Sequence, residues 1–170
     1  CETLLEINYV LFLEWANMSV SENKELIKRW YEALANGDFE TIFAMHHDDV
    51  VYNMLGNTPV SGRIYGKDAC CNGMIGQKLL EKLIPEKIKF SKQWKIIAAE
   101  NDRVVGLMKG GGPCRNGEEY EQTYCEIFTI KEGKIIELHA FFDTVLIEQC
   151  LFNNPLSRKP KAVDDPFQIK

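Results

Sequence analysis

No run of Lys and Arg gathers into a basic stripe, and a protein that binds nucleic acid needs one to meet the phosphates. With a formal net charge of −5 and a pI near 5.3, nucleic acid is not an expected partner. The six cysteines contain no CxxC pair, and Cys70 and Cys71 are neighbours in a helical pattern, so we expect reduced thiols in a cytoplasmic protein. No apolar run is long enough to span a bilayer, because Glu2, Glu6 and Glu14 interrupt the apolar residues 1–17. No membrane partner is expected. No Gly-Lys-Ser/Thr follows Gly110-Gly111-Gly112-Pro113, which removes a phosphate cradle and leaves a hairpin loop at the mouth of a pocket. The adjacent side chains of His46-His47-Asp48-Asp49 diverge and do not close a coordination shell, so no metal and no other cofactor is expected.

What is present is enough for one domain. A chain of 170 residues with 45% hydrophobic content buries a sizeable core but does not divide comfortably into two. Residues 1–18 read as an extension that packs on the domain or on a second copy. Residues 19–152 read as the domain itself. Residues 153–170, with three of the six prolines and few apolar side chains, read as a tail that wraps the domain or stays solvated.

The stretch from Glu119 to Gln149 organises the rest. Aromatic and β-branched residues dominate Tyr120–Ile130 and Lys134–Phe142, and neither segment contains proline, so both read as strands. Two turns can join them. A type I turn with Gly133 as a bulge pairs Glu126 with Leu138, Tyr124 with Ala140 and Gln122 with Phe142. In that register Gln122, Tyr124, Glu126 and Phe128 share a face with Ile136, Leu138, Ala140 and Phe142. A two-residue turn at Glu132-Gly133 slips the pairing by one and sets Glu126 beside His139. In either case Glu126 is a mid-strand acid between Cys125 and Ile127, which is costly unless it is paired, solvated or functional.

Upstream, Ser19-Val20-Ser21-Glu22 has capping-box spacing before a stripe of Leu26, Ile27, Trp30, Tyr31 and Leu34. Asn36-Gly37 ends that helix, and Asp38 caps a shorter one with Phe39, Ile42 and Phe43 on its buried side. A strand over Val50–Leu55, a loop from Gly56 to Gly66, and a third helix from Asp68 to Ile84 stopped by Pro85 follow. Strands over Lys87–Glu100 and Arg103–Lys109 flank a turn at Asn101-Asp102. Asp143 is placed to cap a C-terminal helix.

This order, with RWYEALANGDFETIFAMHHDDVVYNMLG, SGRIYGKDA and EGKIIELHAFFDT as its motifs, resembles the SnoaL-like branch of the nuclear-transport-factor-two-like superfamily over roughly residues 19–152. The resemblance implies an α+β fold, a cone-shaped barrel in which three N-terminal helices pack on a strongly curved antiparallel sheet around a pocket, in a homodimer. It also supplies patterns to compare. Against ketosteroid isomerases, Trp30 stands at the first-helix Tyr position, Met54 at the general-base Asp, and Glu126 at or beside the second acid. Against limonene-epoxide hydrolases, Tyr52 and Arg103 match the Tyr and the Arg, while Val105, Ala140 and Met54 replace the Asp and Asn residues. Against SnoaL-type cyclases, Ala140 replaces the base and Glu126 the strand His. No catalytic set is complete, and fold does not transfer chemistry.

The residues themselves suggest a general acid/base. Enclosed by Trp30, Met54, Leu138 and Phe142, Glu126 would have its pKa raised toward the range of proton transfer. Tyr52 and Tyr124 would donate hydrogen bonds to a substrate oxygen, Gln122 would orient the ligand, His46 would turn a ring nitrogen inward and Ala140 would complete the wall, while the resemblance implies Arg103 as a further ligand-binding residue. The other reading of each Tyr is a core aromatic with its hydroxyl at the rim. Two functions are therefore carried forward. One is a small cofactor-independent enzyme acting by acid/base catalysis on an apolar molecule with an oxygen function, as an isomerase, cyclase, dehydratase or hydrolase. The other is a non-catalytic small-molecule-binding or dimeric assembly module.

Overall fold

The computed structural model describes residues 18–154, leaving aside the side chains of 74–78. The expectations for the N-terminal extension up to residue 17 and for the tail from residue 155 lie outside the described residues. The first helix, α1 (Val20–Asn36), carries the capping box: Ser19 Oγ accepts from the Glu22 amide, and Glu22 accepts from the Ser19 amide at 2.8 Å. It ends at Gly37, whose φ of 69° is the left-handed conformation that closes a helix. Its buried stripe includes Leu26, Ile27, Trp30, Tyr31 and Leu34. The short α2 (Phe39–Ala44) is capped by Asp38. Of Phe39, Ile42 and Phe43, expected on its buried side, only Ile42 is buried, and Phe39 is exposed, because so short a helix cannot hold both ends of the stripe against the core.

Six strands form one open, curved sheet: β1 (His46–Met54), β2 (Gly62–Tyr65), β3 (Lys89–Glu100), β4 (Arg103–Pro113), β5 (Glu119–Lys131) and β6 (Lys134–Phe142), in the order β2-β1-β6-β5-β4-β3. The architecture is α+β. The sheet departs from the sequence expectation in two respects. It is mixed, since β1 runs parallel to β6, and it does not close into a barrel, since β2 and β3 are unpaired edges among the described residues. The Gly56–Gly66 segment supplies that edge strand as well as a loop. Between β2 and β3 the expected third helix is wound as a wider π-helix over Ala69–Leu79, followed by turns and a single bridge from Leu83 to Cys114. The glycine run that read as a loop is the end of β4, with Gly110, Gly111 and Gly112 paired to Gln122, Glu121 and Tyr120. Its reason is proximity: a Cβ on Gly110 would meet the Ser91 nitrogen at 2.7 Å, so only glycine lets β3 approach there.

Strand β5 alternates strictly, burying Tyr120, Gln122, Tyr124, Glu126, Phe128 and Ile130 on the concave face under α1. The turn into β6 is the two-residue form, with Lys131 opposite Lys134 and both Glu132 and Gly133 at positive φ. A bulge after Ile130↔Ile135 then adds one residue to β6, so Glu126 faces Ala140, Phe128 faces Leu138 and Tyr124 faces Phe142. Neither expected register holds. The bulge restores Leu138, Ala140 and Phe142 to the same face as Glu126, but it turns Ile136 away and buries Ile135 instead.

One glycine sets how closely α1 lies on the sheet. Gly106 pairs with Glu126, and a Cβ on it would meet Tyr31 Cε2 and Cζ at 2.8 and 2.9 Å and overlap the Tyr31 hydroxyl. Gly106→Ala is therefore expected to lower stability by roughly 1–3 kcal/mol through overpacking. Urea denaturation measures this, and an unchanged midpoint would show that α1 does not depend on that contact.

Candidate active site around Glu126

Between α1 and the concave face lies a cavity of about 60 Å³. It has room for a few waters or a small fragment, less than the roughly 150 Å³ apolar cavity that takes up benzene. A larger ligand would require its walls to move. A groove of about 480 Å³ on the sheet is more spacious, but its acids, Glu121 and Asp143, are exposed. The buried titratable chemistry belongs to the smaller space.

Trp30, Tyr52, Met54, Tyr124, Glu126, Leu138, Ala140 and Phe142 all line this cavity. Three other candidates do not. Arg103 opens β4 opposite Thr129, far along the strand from Gly106, and is exposed. Gln122 is buried as a clamp at the start of the C-terminal helix α3 (Thr144–Phe152): its Nε2 donates to the Asp143 carbonyl at 2.9 Å, and its Oε1 accepts from the Asp143 and Thr123 amides. With three partners at the chain reversal, it has little left for a ligand. His46 lies behind Tyr52 rather than in the wall, because the chain enters β1 there and the ring is fully buried against Ile42.

Glu126 is 3% exposed. Its Oε2 accepts a hydrogen bond from the Tyr31 hydroxyl at 2.8 Å, whereas Oε1 has no hydrogen-bond partner among the described residues. Burial pushes its pKa up to about 7, and the Tyr31 hydrogen bond opposes that rise by stabilising the anion. Tyr31 is in turn held against ionisation, first by its own burial and then by the Glu126 charge. Its ring stacks on Trp94 with centroids 5.3 Å apart, which fixes where the hydroxyl points. Sequence reasoning missed Tyr31. The signal for it was Gly106, a glycine inside an otherwise β-forming strand, which marks a close approach from above.

A second buried polar chain runs behind the wall. His46 Nδ1 lies 2.6 Å from the Ile42 carbonyl, and its Nε2 lies 2.8 Å from the Tyr52 hydroxyl. A carbonyl only accepts, so Nδ1 carries the proton, Nε2 accepts, and Tyr52 donates to it. The donor role expected of Tyr52 toward a substrate is thus taken by His46. Burial holds the His46 pKa down at about 4, so the ring is neutral near pH 7. Tyr120 and Tyr124 share one hydrogen bond of 2.8 Å between their hydroxyls, and burial raises both pKa values. Among the described residues, no group of three His, Cys, Asp or Glu side chains is placed to hold a metal ion. None of the helices there is long and apolar enough to cross a membrane.

Glu126 and His46 impose opposite pH dependences on stability. For Glu126, raised from 4.5 to about 7, the folded state binds more protons, so stability falls as pH rises across that interval. For His46, lowered from 6.5 to about 4, the unfolded state binds more, so stability rises with pH across that interval. Each amounts to roughly 3 kcal/mol over its range, and they nearly cancel between pH 4.5 and 6.5. Glu126→Gln should therefore gain stability as pH rises from 4 to 6.5, while His46→Gln should lose it from 4.5 to 7. Urea midpoints across pH test this pair, and parallel profiles for both variants and the unmodified protein would refute the assignment.

No curated protein matches the chain. Among solved structures it is similar to an NTF2-like protein from Burkholderia xenovorans LB400, with a TM-score of 0.63 and 21% identity over 79% of this chain and 98% of that one. It is also similar to Bal32a from a soil-derived mobile gene cassette, with a TM-score of 0.67 and 20% identity over 78% and 98% of the two chains. An LEH-like epoxide hydrolase from M. tuberculosis superposes with a TM-score of 0.57 and 22% identity over 79% and 92%. At these identities the likeness is one of fold. The SnoaL-like domain matches residues 27–138, more than half of the sequence, and the chain belongs to that family.

Proposed function

We propose that the cavity is a cofactor-independent acid/base site, in which Glu126 moves a proton on a small, mostly apolar molecule bearing an oxygen function. One observation carries this reading: a carboxyl group with a pKa near 7 lines an apolar cavity, with one oxygen held by Tyr31 and the other without a protein partner among the described residues. A carboxyl in that range is about half ionised at neutral pH, which suits both removal and return of a proton. The walls disfavour the ion, so the base is stronger than an exposed glutamate. The family supports small-molecule chemistry of this kind in general, and the reaction could be an isomerisation, cyclisation, dehydration or hydrolysis. A homodimer through the outer sheet face fits Phe141, which is 45% exposed on the side opposite Glu126, and the free thiols fit a cytoplasmic setting.

A non-catalytic binding module is the second reading, favoured by a wall that is almost wholly apolar and by hydroxyls that already bond to protein. The two readings separate on proton transfer. In heavy water, loss of the α-proton NMR signals of small ketones should be accelerated by the protein, with a rate that rises with pH and levels off above about 7. Glu126→Gln should lower that rate about a hundredfold or more. Acceleration that survives the substitution would defeat the acid/base reading. Binding without exchange in either protein would establish the module.

A further inference from the structure

The face of the sheet turned away from Glu126 carries a polar cluster of its own. Asn53 on β1 pairs with His139 on β6, and Val51 pairs with Glu137, two residues earlier on β6. Asn53 stands between Tyr52 and Met54, and Glu137 and His139 flank Leu138, all of which line the cavity, so the three polar side chains share the outer face. Three of their atoms meet there. Asn53 Nδ2 lies 2.9 Å from Glu137 Oε1 and 3.3 Å from His139 Nε2, and those two atoms are themselves 3.3 Å apart. Asn53 is 9% exposed, whereas the Glu137 and His139 side chains keep 32% and 38% of their surface, so the cluster is open to solvent.

Hydrogen bonding alone does not satisfy this triangle. Seen from Nδ2, the two acceptors lie about 60° apart, while the two N–H bonds of an amide diverge by about 120°, so one bond is poorly aimed. Protonating His139 Nε2 lets it donate to Glu137 but sets that N–H against the Asn53 N–H. A half-turn about the Asn53 Cβ–Cγ bond puts Oδ1 where Nδ2 stands. All three corners then carry lone pairs, from an imidazole, a carboxylate and an amide oxygen, and the triangle suits a cation. The dimensions agree. Ligands about 2.1 Å from a divalent ion stand about 3.0 Å apart in an octahedral shell and about 3.4 Å apart in a tetrahedral one, close to the 2.9 and 3.3 Å found here.

We propose that Asn53, Glu137 and His139 form a three-ligand site for a divalent transition-metal ion of the zinc class, on the sheet face opposite the cavity. The imidazole favours zinc over calcium or magnesium, which take oxygen ligands. A single carboxylate neutralises half of the ion's charge, and the remaining positions go to water. The expectation of no metal concerned His46-His47-Asp48-Asp49, where adjacent side chains diverge; a spacing of two along a strand instead brings Glu137 and His139 to one side. The third ligand, an amide, comes from a strand far away in sequence. The site is separate from the acid/base reading, because the sheet lies between them.

The test titrates the full chain with zinc chloride, free of chelators and added thiols, while the ring NMR signals of the three histidines are followed. The expected result is a saturating shift of the His139 ring at about one zinc per chain, with His46 and His47 unmoved and no response to magnesium. Glu137→Gln and Asn53→Leu should each weaken that binding about tenfold or more, and Asn53→Asp, which keeps the oxygen and adds a charge, should tighten it. An unmoved His139 ring at millimolar zinc overturns the proposal, even where thiols or His47 and Asp49 take up the ion. An affinity at His139 unchanged by Asn53→Leu also overturns it, since the site is then an ordinary surface His–Glu pair. Should Asn53→Leu fail to fold, Asn53→Asp decides: zinc binding no tighter than in the unmodified protein rejects the amide oxygen as a ligand.

Discussion

A carboxyl group removed from water has to be held, and here one hydroxyl does much of the holding. Tyr31 reaches Glu126 from the helix above the sheet, and it can do so because the residue opposite Glu126 on the neighbouring strand is Gly106. The stack on Trp94 fixes the direction of approach. Without the glycine the helix would stand further off, and the carboxyl would be buried with neither oxygen paired. That arrangement would leave a buried group without its hydrogen bond, at a cost of roughly 1–3 kcal/mol. Tyr31 also divides the carboxyl into two unlike oxygens, one anchored and one available to the cavity.

The other buried titratable group follows the same physics to a different end. His46 is neutral because burial disfavours its charged form, and its two nitrogens are both used, one on a backbone carbonyl and one on Tyr52. A fully paired network of that kind is rigid and closed to ligands. Glu126 is the opposite case. It lines the cavity, and its Oε1 has no protein partner among the described residues. The contrast separates the part of the wall that supports from the part that can act.

Family membership fits this division without deciding it. The sequence resemblance left each enzyme pattern incomplete, the ketosteroid isomerase one at Trp30 and Met54, the epoxide hydrolase one at Met54, Val105 and Ala140, and the cyclase one at Ala140, so it offers no complete set to carry over. What the fold provides is a curved sheet with a helix laid over it and a small, mostly apolar space between. The identity of the chemistry rests on the few polar atoms that reach that space.

Much of this was legible in the sequence because it depends on neighbours along the chain. Period-two alternation in Tyr120–Ile130 placed Glu126 on the core face, capping residues marked both ends of α1, and the aromatic stripe showed which side of that helix is buried. Other features depend on groups far apart in sequence, and only tertiary contact decided them. A single bulge in β6 chose the register, so Ala140 rather than Leu138 faces Glu126. Arg103, read inward from a family pattern, lies at an exposed strand end. Gln122 went to a chain reversal and the Tyr52 proton went to His46, because each polar group took the nearest partner the folded chain offered. The sequence by itself determined that an acid would stand mid-strand on the same face as Tyr124 and Phe128, since strand alternation is local. Its partner Tyr31 and its raised pKa came from packing a helix onto a sheet, where burial and hydrogen bonding are settled by three-dimensional proximity.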